Sequence, residues 1–116
     1  MNKLIIDAAK DKIFFMIIFK DINHYIIHEN TKMNFEKMIV LIEEFLLSRN
    51  MKINDISKIY VNRGPGSFAG IRNSLSTIKA IHLVKKIDYY CYSFQDFEGI
   101  KKIKYENIPI LCDKFK

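Results

Sequence analysis

Long hydrophobic runs are missing from this chain of 116 residues. No apolar run approaches the ~18 residues needed to cross a bilayer, and the longest, Ile13–Phe19, has the length of a buried strand. The N-terminal segment Met1-Asn2-Lys3-Leu4-Ile5-Ile6-Asp7 meets an acid after three apolar residues, too short a stretch for a secretory signal core. A soluble, cytoplasmic protein without membrane contact is the expectation. Cysteine is scarce as well. Cys91 and Cys112 lie far apart and form neither a CxxC pair nor a disulfide framework, so both read as reduced thiols, with Cys91 in a strand. There is no linker and no internal repeat.

Arginine is the third scarcity. The net charge is +6 and the pI about 9.3. A basic balance of this kind can signal nucleic acid, but the excess is almost all lysine in a chain rich in Ile, Lys and Asn. Coding bias alone is enough to produce such a composition, so the pI is discounted. The three arginines carry more information, because Arg63 and Arg72 stand at the two edges of the glycine-rich segment.

What is present is enough for one small domain: 49% of residues are hydrophobic, which supports a packed core. Leu4-Ile5-Ile6 reads as a buried strand ending at Asp7, with a turn over Ala8–Asp11. Ile13–Phe19 is a second strand covered on both faces, and Tyr25-Ile26-Ile27 continues a third to Glu29, giving an antiparallel meander. From Phe35 the period changes to that of a helix, through Met38, Ile39, Ile42, Phe45 and Leu46. The spacing predicts a helix over about Asn34–Ser48, capped by Asn34. Ile59-Tyr60-Val61 is a short strand. A second helix follows over about Ser67–Val84, with Phe68, Ile71, Leu75, Ile78 and His82 on its apolar face, and Tyr89–Phe94 is a fifth strand. Strand–helix–strand order implies parallel pairing. The fold expected is α/β, a five-stranded mixed sheet with two main helices. Gln95–Glu98 reads as a helical turn, and Ile108-Pro109-Ile110-Leu111 as an edge strand.

The most specific segment is Val61-Asn62-Arg63-Gly64-Pro65-Gly66-Ser67-Phe68-Ala69-Gly70-Ile71-Arg72. Physically it is a tight strand-to-helix turn: Gly64 and Gly66 permit unusual backbone angles, Pro65 stiffens the turn, and Ser67 caps the helix. The free N–H groups of that helix end could cradle an anion, so a structural turn and a phosphate site both stay open. The segment matches neither a Walker loop nor GxGxxG. His24 and His28 have His-x-x-x-His spacing, but on a strand four residues span about 13 Å, too far for one tetrahedral ion. No metal site, zinc helix or nucleophile–base pair is evident, so no catalytic residue, cofactor or proteolytic activity is assigned.

Arg63-Gly64-Pro65-Gly66-Ser67-Phe68-x-Gly70-x-Arg72 resembles the signature of the TsaB (YeaZ) family. Ile5-Ile6-Asp7, the amphipathic helix, Ile53-Asn54-Asp55-Ile56, Ile78-Lys79-Ala80 and Ile110-Leu111-Cys112-Asp113 agree with it. Ala8 and Ala9 depart from it where hydroxyl residues are common, as do Asn34 where histidine is frequent and Ala69 where threonine is usual. The resemblance implies a single N-terminal lobe of the actin/Hsp70/sugar-kinase, ribonuclease H-like superfamily over residues 1–94. Residues 95–116 would be an extension that begins an absent second lobe. It makes Asp7 a residual superfamily position, and with one lobe no closed nucleotide cleft forms. It further implies a noncatalytic subunit that docks on a TsaD-like catalytic paralogue in tRNA threonylcarbamoyladenosine modification, with a TsaE-like ATPase and tRNA reached through the complex. Docking would use Phe35, Met38, Leu41, Leu75 and Leu83, with Met33 adding apolar area, and the same face could form a homodimer. Two rivals are a minimal nucleotide binder using Asp7 and the Gly64–Ser67 loop, and a tRNA-binding adaptor using the lysine tail of Lys101, Lys102, Lys104, Lys114 and Lys116.

Overall fold

A computed structural model describes residues 1–114. Five strands, β1 (Lys3–Asp7), β2 (Lys12–Phe19), β3 (Ile22–Glu29), β4 (Lys58–Asn62) and β5 (Asp88–Tyr92), form one sheet in the order β3-β2-β1-β4-β5. The first three make an antiparallel meander, with Ile5 opposite Met16 and Phe15 opposite Ile26. β4 then pairs parallel to β1, and β5 parallel to β4. The long link from β3 to β4 carries α1 (Lys32–Glu36) and α2 (Met38–Leu47), and the link from β4 to β5 carries α3 (Phe68–Lys85). This is the mixed sheet that the strand–helix–strand order predicts.

Both faces of β2 are covered, which explains why it reads as an uninterrupted apolar run, whereas the edge strand β3 leaves Tyr25 and Ile27 exposed. One face, through Leu4, Ile6, Ile13, Phe15, Ile17, Ile59 and Val61, packs on the helices. The other, through Ile5, Met16, Tyr60 and Tyr92, packs under the chain that follows β5: Phe97, Ile108 and Cys112 are buried there. Residues 95–114 thus lie on the sheet as a layer of it.

The structure corrects the sequence reading in four places. The first helix starts at Lys32, because Thr31 rather than Asn34 is its N-cap; the Thr31 side chain accepts from Asn34 N–H at 3.1 Å. That helix also breaks at Lys37, whose backbone leaves the helical region (φ −110°, ψ 28°), so α1 and α2 are separate. Ile108–Leu111 is helical rather than an edge strand: it opens α4 (Ile108–Lys114), where Pro109 sits in a first turn whose N–H groups need no helical partner. Finally, α3 buries Gly70, Ser74, Ile78 and Ile81, a stripe rotated from the one expected, and Phe68 faces solvent at 78% exposure. Gly70 and Ser74 carry no hydropathic signal, yet they let α3 sit close to the sheet.

Candidate functional site

The glycine segment leaves β4 and enters α3 against the turn after β1. Ser67 N–H donates to the Ala9 carbonyl at 2.7 Å, and Ser67 Oγ accepts from Gly70 N–H at 3.1 Å, capping α3. Gly64, at φ +106°, occupies a region that favours glycine, and its N–H donates to Asn62 Oδ1 at 2.8 Å. Close approach explains the other two glycines: a methyl on Gly66 would strike the Ala9 carbonyl oxygen, and one on Gly70 the Ala8 carbonyl oxygen. Ala8 and Ala9, both buried, are the floor on which the loop rests. Pro65 is exposed on its outer side.

The arginines at the two edges of this segment have different roles. Arg63 makes a two-pronged pair with Asp96, both contacts at 2.6 Å, and donates to the Cys91 carbonyl at 3.2 Å. That ties the loop to the turn after β5, where Asp96 also accepts from Ser93 N–H at 3.0 Å. The Arg63 hydrogen bonds hold the Asp96 carboxyl below the usual carboxylate range. Arg72 meets no carboxylate among the described ion pairs; its guanidinium lies 5.7 Å from the Phe68 ring centroid.

Asp7 is buried at the end of β1 and fully engaged. Its Oδ1 accepts from Ala9 N–H at 3.0 Å and from Asn62 Nδ2 at 3.1 Å, while Oδ2 accepts from the Tyr105 hydroxyl at 2.6 Å. Lys10 Nζ sits 4.0 Å from the same oxygen and over the Phe94 ring at 4.4 Å. Burial, and then the bond to Asp7, push the Tyr105 hydroxyl above its ordinary pKa. Tyr105 and Phe94 therefore stand where a ligand of Asp7 would approach. The cleft left between Lys10, Asn62, Gly64, Pro65 and Phe94 holds about 190 Å³, below the ~300 Å³ at which ordinary ligand pockets begin.

Of the residues expected at an interface, Phe35, Met38 and Leu41 are in the core and offer no surface. Leu75 is half-buried against that core, whereas Leu83 is 69% exposed. Helical periodicity marks both kinds of position as apolar, so it could not separate them. Met33, also expected at the interface, is 69% exposed, and further open apolar surface comes from residues not named for docking. Ile39, Val40, Leu47 and Val84 are exposed, and between α2 and α3 runs a groove of about 480 Å³ lined by Ile39, Glu43, Ile53, Ala80, Ile81 and Val84. His24 and His28 sit in β3 on the helix-facing side, and no cluster of three or more metal-ligating side chains occurs among the described residues. Of the lysine tail, Lys101, Lys102 and Lys104 are exposed, Lys114 ends α4, and Lys116 lies outside the described residues.

A five-stranded mixed sheet, an aspartate closing its first strand and a glycine turn clamped beneath it define a ribonuclease H-like α/β lobe. Thermus thermophilus RuvC in complex with a Holliday junction substrate shares that fold at 9% identity and a TM-score of 0.57, covering 85% of this chain and 71% of that one. YeaZ from Pseudomonas aeruginosa aligns at a TM-score of 0.72 and 13% identity, over 79% of this chain and 43% of its own. A family model described as TsaD, tRNA N6-adenosine threonylcarbamoyltransferase, matches residues 27–96. The tRNA threonylcarbamoyladenosine biosynthesis protein TsaB of Buchnera aphidicola subsp. Baizongia pistaciae is 31% identical over 67 residues, 50% of this chain and 30% of the relative. The chain belongs to the family of that model, TsaD, tRNA N6-adenosine threonylcarbamoyltransferase, and is similar to TsaB and YeaZ over the part they share. The matches span less than half the length of the TsaB and YeaZ relatives.

Proposed function

We propose that this chain is a noncatalytic subunit that docks through α2 and α3 on a TsaD-like catalytic paralogue in tRNA threonylcarbamoyladenosine modification. The observation that carries the reading is the apolar groove between those helices, with Val84 exposed at 75% beside Leu83 at 69%. Apolar area of this kind favours a protein partner, since its burial is worth about 25 cal/mol per Å². The partner follows from the family: two lobes of related fold carry related helices in the same place. The chemistry falls to the partner, because Asp7 is occupied by Tyr105 and the cleft beside it is small. Residues 95–114 act as a second layer on the sheet, in the place where the sequence reading puts the beginning of another lobe.

Copurification of tagged chain with the TsaD-like protein of the same organism tests this. Ile39→Asp and Val84→Asp, both on the rim of the groove, are expected to abolish capture while the variants stay folded. Retained capture by both would refute docking through this face. Nucleotide titration of the isolated chain is expected to show no magnesium-dependent binding.

A further inference from the structure

Helix α3 carries a second surface, roughly a third of a turn around its axis from the groove. From Phe68 to Lys85 it contains no acidic residue. Phe68, Arg72, Lys79 and Lys86 fall in one line at helical spacing and all are exposed. Among the described ion pairs none involves Arg72, Lys79 or Lys86. Of the elements that flank α3, β5 brings Asp88 at the Lys86 end, the turn after it brings Asp96, whose carboxylate Arg63 already holds, and α1 and α2 bring Glu36, Glu43 and Glu44, of which Glu43 lines the groove. On the β5 side the His82 ring of α3 meets the Tyr89 ring edge-on at 5.3 Å. At the other end Phe68 is 78% exposed and stacked by Arg72 at 5.7 Å.

We propose that this stripe binds single-stranded RNA, with an unpaired base stacking on Phe68 and Arg72 and the backbone running past Lys79 to Lys86. The cations follow one another at about 10 Å from Arg72 to Lys79 and again to Lys86, which lets one strand pass from each to the next. Unpaired bases stack on aromatic rings and arginine planes while phosphates meet lysine. An acidic protein segment would satisfy the charges but leave the exposed ring without a use. The inference stands apart from docking on a TsaD-like protein, because it concerns direct contact by the isolated chain and residues outside the groove.

The test is fluorescence anisotropy of the full chain with a labelled single-stranded oligoribonucleotide over a series of salt concentrations. Circular dichroism establishes that each variant is folded. Combined Arg72→Gln, Lys79→Gln and Lys86→Gln is expected to weaken binding at least about tenfold and to lower the log–log salt slope by about 2. Phe68→Ala should weaken it roughly 5- to 100-fold and leave the slope in place. Lys101→Gln, Lys102→Gln and Lys104→Gln together should change affinity less than the helix triple. The proposal is overturned if the wild-type chain does not bind the oligoribonucleotide. It also fails if the helix triple binds as the wild type does, if the loss tracks Lys101–Lys104, or if polyglutamate competes as well as RNA.

Discussion

The Tyr105 hydroxyl donates to Asp7 Oδ2 at 2.6 Å across 98 residues of sequence. That bond joins the last layer of the fold to the end of its first strand. Asp7 is buried, and a buried carboxylate deprived of a donor carries its full desolvation cost. Tyr105→Phe is therefore expected to destabilise the protein by about 1–3 kcal/mol in urea denaturation. Tyr92→Phe should behave oppositely: that hydroxyl is buried and has no hydrogen-bond partner among the described residues, so removing it is expected to be neutral or slightly stabilising. Equal losses for the two variants would contradict the assignment.

The buried tyrosines also set the alkaline limit. Burial raises Tyr60 to about 12, with the Asp113 charge adding to it, and burial also raises Tyr92 and Tyr105 above the ordinary value. Each is protonated in the fold at a pH where the unfolded side chain has ionised. The unfolded state then binds fewer protons, and stability falls as pH rises. The stabilisation is complete below about pH 10 and is lost above it, by up to about 1.4 kcal/mol per pH unit for each tyrosine. Denaturation midpoints between pH 8 and 11.5 should be flat at first and then fall. A flat profile throughout would show that these hydroxyls ionise in the folded state as they do in water.

Gly70 offers a test of sign. A helical glycine replaced by alanine ordinarily gains about 1 kcal/mol. Here the methyl would collide with the Ala8 carbonyl oxygen, which is backbone and cannot swing aside. Gly70→Ala is expected to destabilise by about 2 kcal/mol or more, a cost of the kind caused by overpacking. Gly66→Ala should do the same against Ala9. Stabilisation by either would mean that α3 does not sit where the structure places it.

These glycines show what the sequence could and could not reveal. The glycine segment stands out in it, and so do the Ser67 cap and the order of strands, because those signals are local: turn chemistry, helix periodicity and apolar runs. The reason for Gly66 and Gly70 is not legible, because their partners, Ala9 and Ala8, lie about sixty residues away. The engagement of Asp7 by Tyr105 is hidden for the same reason. Phe68 misleads because periodicity weighs a phenylalanine above Gly70 and Ser74, although small size is what brings α3 to the sheet. Pro109 misleads because the same residue suits an edge strand and a first helical turn.

Arg63 and Asp96 give a prediction at acid pH. The guanidinium holds the carboxyl below its ordinary range, so the unfolded state binds the proton more readily. The contribution is present above about pH 4 and is lost as pH falls below it. The pair is partly exposed, 43% and 27% at the side chains, so its worth is modest, about 1 kcal/mol or less. Arg63→Lys, which loses the two-pronged geometry, should show most of that loss at pH 7 and draw closer to the wild type as pH falls below about 4. A difference that does not shrink at any pH as acid is added would assign the effect to the Cys91 carbonyl contact instead.

Met38 and Val84 separate the core from the docking face, although both belong to the two helices that the sequence marks as apolar. Met38 is fully buried in the cluster beneath the helices. Met38→Ala is expected to cost about 2–5 kcal/mol, and any loss of partner capture would follow from unfolding. Val84 stands in solvent on the groove. Val84→Asp should move stability by no more than about 0.5 kcal/mol, yet it places a charge where an apolar partner must seat. Urea denaturation of the two variants beside their capture by the TsaD-like protein distinguishes the roles. Stability should fall for Met38→Ala, and capture should fail for folded Val84→Asp. If Val84→Asp keeps both, the groove between α2 and α3 is not where the partner binds.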